Sequence, residues 1–438
     1  MNSPETLLLG PPVHQEKASL AQAELAQIVA HKLFRKSQVL QRLLAFLIDA
    51  ELRHRPVTES LLATAVFGLK DDEFHPYTNS NVRVNTSLLR RRLTAYYQEI
   101  APTRIRLHFP QGSLRLRIDV LDPDQELWRR AFGQAKLLAT SWYGDELELA
   151  LRRIEEVLAE KPRFGPAFAL RSQLHLTIGS HGAPPLDHMA PAREAAKRAM
   201  ALAPDAWESL TAAGNVAALL DWDWPQAERL YERAGTVAGN EVVGDPWYQA
   251  AQVALDRIEP CLAKMRQALI DYPMPPRTLQ KVYGAMLSLA GRWEEAEREM
   301  RQTTEIYPDD FVAWMWLAMQ AITLGNRGQA TQCLVRSVAV TRGRLPGALI
   351  AMMRDFLLTG KLPSAQSAPG SAAEVAKVLI GAVMKRADLA TDALERMVEN
   401  RNVLAVVYLR GPMQSHLHDS PKFLALFDRM GIPRPVRA

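Results

Sequence analysis

Cysteine is scarce in this chain: its 438 residues include only Cys261 and Cys333, and these two belong to no spacing motif. Two isolated cysteines exclude a disulfide framework and favour reduced thiols in a cytosol. The chain also lacks any run of about 18 apolar residues, so the sequence predicts no membrane span. The N-terminal stretch LLLGPPV is too short and lacks the basic flank of a signal peptide. We therefore expect a cytoplasmic globular protein.

Catalytic signatures are missing as well. The sequence contains no phosphate-binding loop, no GxGxxG after a strand, no HExxH, no GxSxG and no kinase motif set. His181 and His188 stand close in sequence, as do His416 and His418, but scattered surface histidines are far commoner than metal ligands. The sequence therefore predicts a protein that is not an enzyme and has no cofactor and no metal site.

Positive charge is concentrated in one short segment. The formal net charge of the chain is +5. Between Ser80 and Ile118 there are eight arginines, no lysine and one acid, Glu99, which gives a local charge of 8 − 1 = +7, so the rest of the chain sums to −2. A small basic module on a nearly neutral body indicates a polyanionic partner.

The basic segment begins with a predicted amphipathic helix, NSNVRVNTSLLRRRLTAYYQE, from Asn79 to Glu99. At about 100° per residue, one face carries the apolar residues, namely Val82, Leu89, Leu93 and Tyr96. The opposite face and its edges carry arginines and small hydroxyls, which suit close approach to the major groove of DNA. The predicted groove contacts on this helix are Arg83, Ser87, Arg90, Arg91 and Thr94.

A predicted β-hairpin follows the basic helix. The arms RIRLHF and SLRLRI alternate apolar and polar residues strictly, and PQG stands between them, with Pro110 and Gly112 suited to a type I turn. The outer face of both arms is basic and is expected to contact phosphates or the minor groove through Arg104, Arg106, Arg115 and Arg117. Three helices and a hairpin are typical of a winged helix-turn-helix. A basic surface that binds protein remains the alternative.

The segment also resembles a known family. The order Phe67-Gly68, Phe74, Pro76, Val82-Arg83-Val84, Leu89-Arg90-Arg91-Arg92-Leu93, Tyr96-Tyr97, Pro110 and Gly112-Ser113 is similar to the N-terminal module of a group of bacterial tetratricopeptide-repeat proteins. Some members of that group carry an adenylate cyclase name. The order is more distantly similar to the OmpR/ToxR-type winged-helix domain. Over residues 31–118, the resemblance implies double-stranded DNA as a partner and a role in transcription.

A repeat with the tetratricopeptide period of about 34 residues occupies the larger part of the chain. Gly284, Gly291 and Ala296 fit the small positions of one unit. Ala318, Gly325 and Ala330 take the same positions in the next unit. Upstream units fit less closely. A solenoid of such units offers a concave groove for an extended peptide or a helix. Of Trp314 and Trp316, we expect one to pack in the core and one to face the groove.

These patterns predict a mainly α fold in which a winged helix-turn-helix precedes a tetratricopeptide α-solenoid. The predicted organisation is a leader (1–17), the winged helix-turn-helix domain (18–118), a linker (119–128), the repeat array (129–360), a second linker (361–373), and C-terminal helical repeats with a cap (374–438). The main hypothesis is a DNA-binding transcriptional regulator whose array oligomerises or binds a controlling partner or ligand. The alternative is a protein-interaction scaffold whose winged helix binds protein. A nucleotide cyclase is suggested only by the names of relatives.

Overall fold

The computed structural model describes residues 12–69, 81–100, 104–110, 113–120, 126–181, 185–271, 276–342, 347–361 and 371–435. The chain divides into two compact units. One comprises Met1–Leu127 and Ile270–Pro276, and the other comprises Trp128–Leu269 and Arg277–Ala438. No helix in the described part of the chain is long and apolar enough to cross a bilayer.

Among its described residues, the first unit contains four helices and a two-stranded hairpin. Its elements are α1 (Pro12–Ala30), α2 (Gln38–Leu52), α3 (Glu59–Phe67), α4 (Asn81–Glu99), β1 (Ile105–His108) and β2 (Arg117–Val120). Helix α1 begins inside the segment predicted as a flexible leader, which is therefore partly helical. Proline is tolerated at a first helical position, because its missing N–H would have no helical partner there. Asn79 and Ser80, at the start of the predicted basic helix, lie outside the described residues.

The apolar face predicted for the basic helix is confirmed. Val82, Leu89, Leu93 and Tyr96 are each at most 2% exposed. They share one hydrophobic core with the leucines of α2 and with the inward side chains of the hairpin. The helical amphipathicity therefore fixes which side of α4 lies against the unit.

The hairpin differs from its prediction in length and register. Strands β1 and β2 are antiparallel, with Ile105 opposite Val120 and His108 opposite Arg117. The second strand thus begins later than the predicted arm at Ser113, and the connection is longer than the predicted turn. Gln111 and Gly112, in that turn, lie outside the described residues. Leu114 and Leu116 are buried as expected. The strict alternation identified the inward face but did not fix the register.

The second unit is an array of helices. Its helices are α5 (Glu126–Leu138), α6 (Gly144–Glu160), α7 (Gly165–His181), α8 (Pro185–Leu202), α9 (Trp207–Val216), α10 (Trp224–Ala238), α11 (Pro246–Ala254), α12 (Ile258–Asp271), α13 (Arg277–Leu289), α14 (Trp293–Ile306), α15 (Phe311–Thr323), α16 (Arg327–Thr341), α17 (Gly347–Thr359), α18 (Ser371–Val383), α19 (Ala387–Glu399), α20 (Ala405–Arg410) and α21 (Pro421–Met430). Shorter helical turns span Ala217–Asp221, Gly239–Gly244 and Pro412–Leu417.

Consecutive helices pack in pairs, which are α7 with α8, α9 with α10, α13 with α14, α15 with α16, and α18 with α19. Left-handed turn residues mark the repeat: Trp222, Asp256, Gly291 and Gly325 all have positive φ and follow one another at the spacing of one repeat unit. A left-handed residue ends one helix sharply so that the next can return beside it. The unit is therefore a tetratricopeptide-like solenoid.

Close helix crossings explain the small residues of the repeat. A Cβ placed on Gly284 of α13 would lie 2.8 Å from Cε of Met300 in α14. Ala296, Ala318 and Ala330 are fully buried. Small side chains at these positions allow the paired helices to approach and bury their apolar faces, which is the main source of helical stability in proteins.

Candidate functional site

The basic surface of the first unit is less uniform than the helical period predicts. Ser87 was expected on the outer face, but it is 3% exposed, so that expectation is wrong. Thr94 is half-buried, and its hydroxyl donates a 3.0 Å hydrogen bond to the carbonyl of Arg90. Helix α4 is buried over more than one face because α2, α3 and β1 all pack on it. A helical projection that assumes a single buried face does not predict the burial that results when three elements pack on one helix.

Acidic residues from other segments pair with the predicted DNA contacts. Glu59 of α3 accepts a 2.8 Å hydrogen bond from Nε of Arg83. Glu51 of α2, which is 5% exposed, accepts one of 2.6 Å from Nε of Arg115 and lies 3.6 Å from Arg117. These ion pairs reduce the positive charge that the segment predicts for this surface. Both acids belong to helices that precede the basic segment, so a local charge count misses them.

Two further arginines join α4 to its neighbours. Arg90 donates a 3.0 Å hydrogen bond to the carbonyl of Ser113, and its guanidinium lies 5.2 Å from the ring centre of Phe109. Arg92 donates a 2.6 Å hydrogen bond to the carbonyl of Leu33. Arg90 therefore braces the hairpin connection as well as facing outward.

The other predicted contacts lie nearer the solvent. Arg104 is exposed, and the Arg117 side chain is 50% exposed. Arg91 and Arg106 are half-buried, and Arg106 lies 5.9 Å from the ring centre of Tyr97. Asp119 stands opposite Arg106 in the hairpin, so this outer face is not uniformly basic.

The helical array contains an apolar cavity on the inner side of its helices. The cavity encloses about 990 Å³, including the space at its open mouth. Helices α11, α13 and α15 supply most of the wall, and α20 supplies the facing side with Val407 and Tyr408. Trp316 lines the cavity, in agreement with the expectation that one of the two faces the groove. Trp314 is half-buried and its indole makes an exposed hydrogen bond to the carbonyl of Pro308, so the expectation that the other packs in the core is wrong. A concave, mainly apolar site is typical of ligand and peptide binding.

Lys281 is the only charged residue among the described residues that line this cavity. Its side chain is fully buried, donates a 2.7 Å hydrogen bond to the carbonyl of Thr140 and lies 4.0 Å from the ring centre of Trp142. The Asp310 carboxylate lies 3.8 Å away and also accepts a 2.7 Å hydrogen bond from Arg277. Burial lowers the pKa of Lys281 to about 8. Because other residues surround the Lys281 ammonium, the accessible surface of the cavity is mainly apolar.

A smaller cavity of about 370 Å³ adjoins the large one and shares Leu289, Trp316, Val407 and Tyr408 with it. Its wall also includes two buried glutamines, Gln320 of α15 and Gln414 of the turn after α20. The inner face of the array therefore combines a large apolar space with a neighbouring space that carries carboxamides.

The C-terminal segment closes the array onto its earlier helices. Arg401 donates a 3.2 Å hydrogen bond to the carbonyl of Leu220, and its guanidinium lies 3.3 Å from a ring centre of Trp222. Arg410 is 3% exposed at its side chain and donates a 2.9 Å hydrogen bond to the carbonyl of Ala254. The C-terminal segment therefore packs on a distant part of the array, and α20 lies beside the cavity.

A histidine pair joins α7 to α8. Nδ1 of His175 lies 3.0 Å from Nδ1 of His188. Burial and the charge that His188 would carry lower the pKa of His175 to about 4, and burial also lowers the pKa of His188. One ring must donate and the other accept, so the accepting ring is neutral in this contact. The side chain of His181, the sequence neighbour of His188, lies outside the described residues.

Sequence reasoning missed most of the cavity wall. Its lining residues include Trp142, Trp247, Lys281, Gln320, Tyr408 and Gln414. They come from elements scattered along most of the array and share no spacing. Lys281 within the apolar stretch of α13 was the one available signal, because a lysine in a buried helix face needs a partner.

Comparisons with known proteins give only distant similarity. No protein-family model matches the chain. No curated protein matches it. A solved structure of a human IFIT1 dimer with PPP-AAAA is 15% identical, with 95% of this chain and 94% of that chain covered and a TM-score of 0.44. The Cut9–Hcn1 hetero-tetramer of APC/C is 13% identical, with coverages of 94% and 68% and a TM-score of 0.41.

YrrB, a TPR protein with an unusual peptide-binding site, is 16% identical, with 43% of this chain and 93% of that chain covered and a TM-score of 0.28. TM-scores below 0.5 do not establish a shared fold. The solenoid assignment therefore rests on the helix pairs and on the spacing of the left-handed turns.

Proposed function

We propose that the chain is a protein-interaction scaffold whose helical array accepts an apolar part of a partner protein in the large cavity. The observation that supports this proposal is the 990 Å³ cavity with its apolar wall. Trp247, Met286, Phe311 and Trp316 offer aromatic and sulfur-containing surface, which is enriched in interface hot spots. The role proposed is binding, without a catalytic step.

Filling the cavity tests this proposal. Ala285 lies on the cavity wall and is half-buried, so Ala285→Phe places a ring in the space without adding charge. A displayed library of random peptides is selected on the full-length protein and counter-selected on the variant. Enriched peptides should carry apolar side chains and should lose affinity for Ala285→Phe. Peptides that bind both proteins equally well would place the interaction elsewhere.

We propose DNA binding by the first unit as a second function. It is supported by the distribution of charge: residues 1–120 contain 16 Lys and Arg against 11 Asp and Glu, a net +5, and the other residues contain 37 of each. Under this proposal the unit is a winged helix-turn-helix in which α4 enters the major groove and the hairpin contacts phosphates. The protein would then be a transcriptional regulator. The ion pairs of Glu51 and Glu59 weigh against it, so we rank it below the scaffold.

Salt dependence tests the second function. Fluorescence anisotropy of the full-length protein with a random duplex is measured at two salt concentrations. Binding through about six phosphates should weaken steeply as salt rises. Folded protein that does not bind DNA at low salt would exclude this function and leave the scaffold standing.

A further inference from the structure

The small cavity contains buried carboxamide atoms without partners. Gln414 is 1% exposed, and neither its Oε1 nor its Nε2 has a hydrogen-bond partner among the described residues. Gln320 is 4% exposed, and its Nε2 donates a 2.6 Å hydrogen bond to the carbonyl of Trp293. Its Oε1 has no hydrogen-bond partner in the described part of the chain. Buried polar side-chain atoms nearly always have a partner, so three such atoms on one cavity need an explanation.

Another buried glutamine shows how this fold satisfies a structural carboxamide. Gln249 of α11 is also 1% exposed. Its Nε2 donates to the carbonyl of Val243, and its Oε1 accepts from the Cys261 thiol. Both ends of that side chain are used within the protein. Gln414 is equally buried, but its side chain makes neither of the two corresponding hydrogen bonds among the described residues. Packing alone therefore does not account for a glutamine at this position.

The chemistry of a carboxamide indicates what would complete the site. The group offers one acceptor oxygen and a donor NH₂. A peptide bond offers the complementary pair, one N–H and one C=O. The two cavities share Trp316 and Tyr408, so one ligand can extend across both.

We propose that Gln414 and Gln320 bind the backbone of an extended peptide whose neighbouring apolar side chain fills the large cavity. This inference rests on the proposed scaffold function and names the ligand class and the residues that recognise it. The inserted side chain is uncharged, because Lys281 is fully buried and the ring of Trp142 lies against its ammonium. Tyr408 of α20 lines both cavities and therefore borders the same ligand.

Stability and binding should respond in opposite directions to one substitution. Gln414→Met keeps the length of the side chain and removes the unpartnered amide, so the melting temperature should rise. The matched control Gln249→Met removes two existing hydrogen bonds, so its melting temperature should fall. A fall for Gln414→Met as well would show that the amide is satisfied within the fold, for example by bound water, and would overturn the proposal.

Binding is measured by calorimetry on the full-length protein with three probes. The probes are acetyl-Leu-Phe-Leu-amide, an analogue with an ester oxygen in place of the central N–H, and isobutylbenzene, which has no amide. Gln414→Met should weaken the peptide about tenfold and leave isobutylbenzene unchanged. In the unsubstituted protein the ester analogue should bind more weakly than the peptide.

The outcomes separate the inference from the function on which it rests. Isobutylbenzene binding without any effect of Gln414→Met or of the ester on the peptide would overturn backbone recognition and leave the apolar cavity as a binding site. If neither the peptide nor isobutylbenzene binds the unsubstituted protein, the cavity function fails and the inference fails with it.

Discussion

The indole Nε1 of Trp224 donates a 2.7 Å hydrogen bond to the carbonyl of Met430, which stands far later in the chain. Trp224 begins α10 and Met430 ends α21, so the bond joins an early helix pair of the array to the C-terminal segment. Trp224 is 7% exposed, and Met430 is 2% exposed. A hydrogen bond in such a setting holds the closed arrangement and satisfies a helix-terminal carbonyl that has few other partners.

Trp224→Phe should therefore destabilise the protein. The substitution removes the indole N–H, so the buried Met430 carbonyl loses this donor. We expect the free energy of unfolding to fall by about 1–3 kcal/mol. The free energy of unfolding is measured by urea titration. Trp314→Phe is the matched control, because the Trp314 indole makes an exposed bond to Pro308 within its own turn. Equal losses for the two variants would contradict a special role for the Trp224–Met430 bond.

The helix crossings predict a graded response to added methyl groups. A Cβ on Gly381 of α18 would lie 2.8 Å from the backbone nitrogen and 3.1 Å from Cα of Ala390 in α19. Backbone atoms cannot move aside without separating the helices, so Gly381→Ala should cost about 1–3 kcal/mol. The three nearest atoms to a Cβ on Gly284 all belong to the flexible Met300 side chain, so Gly284→Ala should cost less. Thermal unfolding of both variants measures the order, and the reverse order would refute this account of the crossings.

Acid should weaken the contact between α7 and α8. The pKa of His175 is lowered to about 4 in the folded protein, whereas an unfolded histidine titrates near 6.5. Between these values the unfolded state binds more protons, so stability falls as pH decreases from 6.5 towards 4. His175→Gln should flatten this dependence, as followed by unfolding at several pH values. An unaltered slope for His175→Gln would contradict the prediction.

The buried acid of α2 should control any binding of DNA. Glu51→Gln keeps the shape of the side chain and releases the charges of Arg115 and Arg117. If the first unit binds DNA, affinity for a duplex should rise about fivefold, which corresponds to roughly 1 kcal/mol for one added net charge. Anisotropy titration at low salt measures the change. Glu156→Gln, which releases Arg153 on α6, should have no such effect, and a DNA affinity that is the same in both variants would argue against this surface.

The repeat shows where sequence patterns succeed. Gly291 and Gly325 stand one repeat unit apart, and both have positive φ in the structure. Glycine is the residue that adopts this conformation at least cost, so the spacing was visible in the sequence. Trp222 and Asp256 have the same conformation at the corresponding positions of earlier units, where no glycine marks the turn. The sequence therefore located two units closely and the earlier ones only approximately.

Local chemistry by itself determined the helical class of the protein, the small residues of its repeat and the buried face of α4. These follow from periodicity and side-chain size, which act between residues a few positions apart. Tertiary structure decided the rest: the ion pairs that Glu51 and Glu59 make with the predicted DNA contacts, the burial of Ser87, and the meeting of Gln320 with Gln414 on one cavity. The reason is physical, because charge neutralisation and cavity formation depend on distances between segments that lie far apart in the chain. No local period encodes those distances.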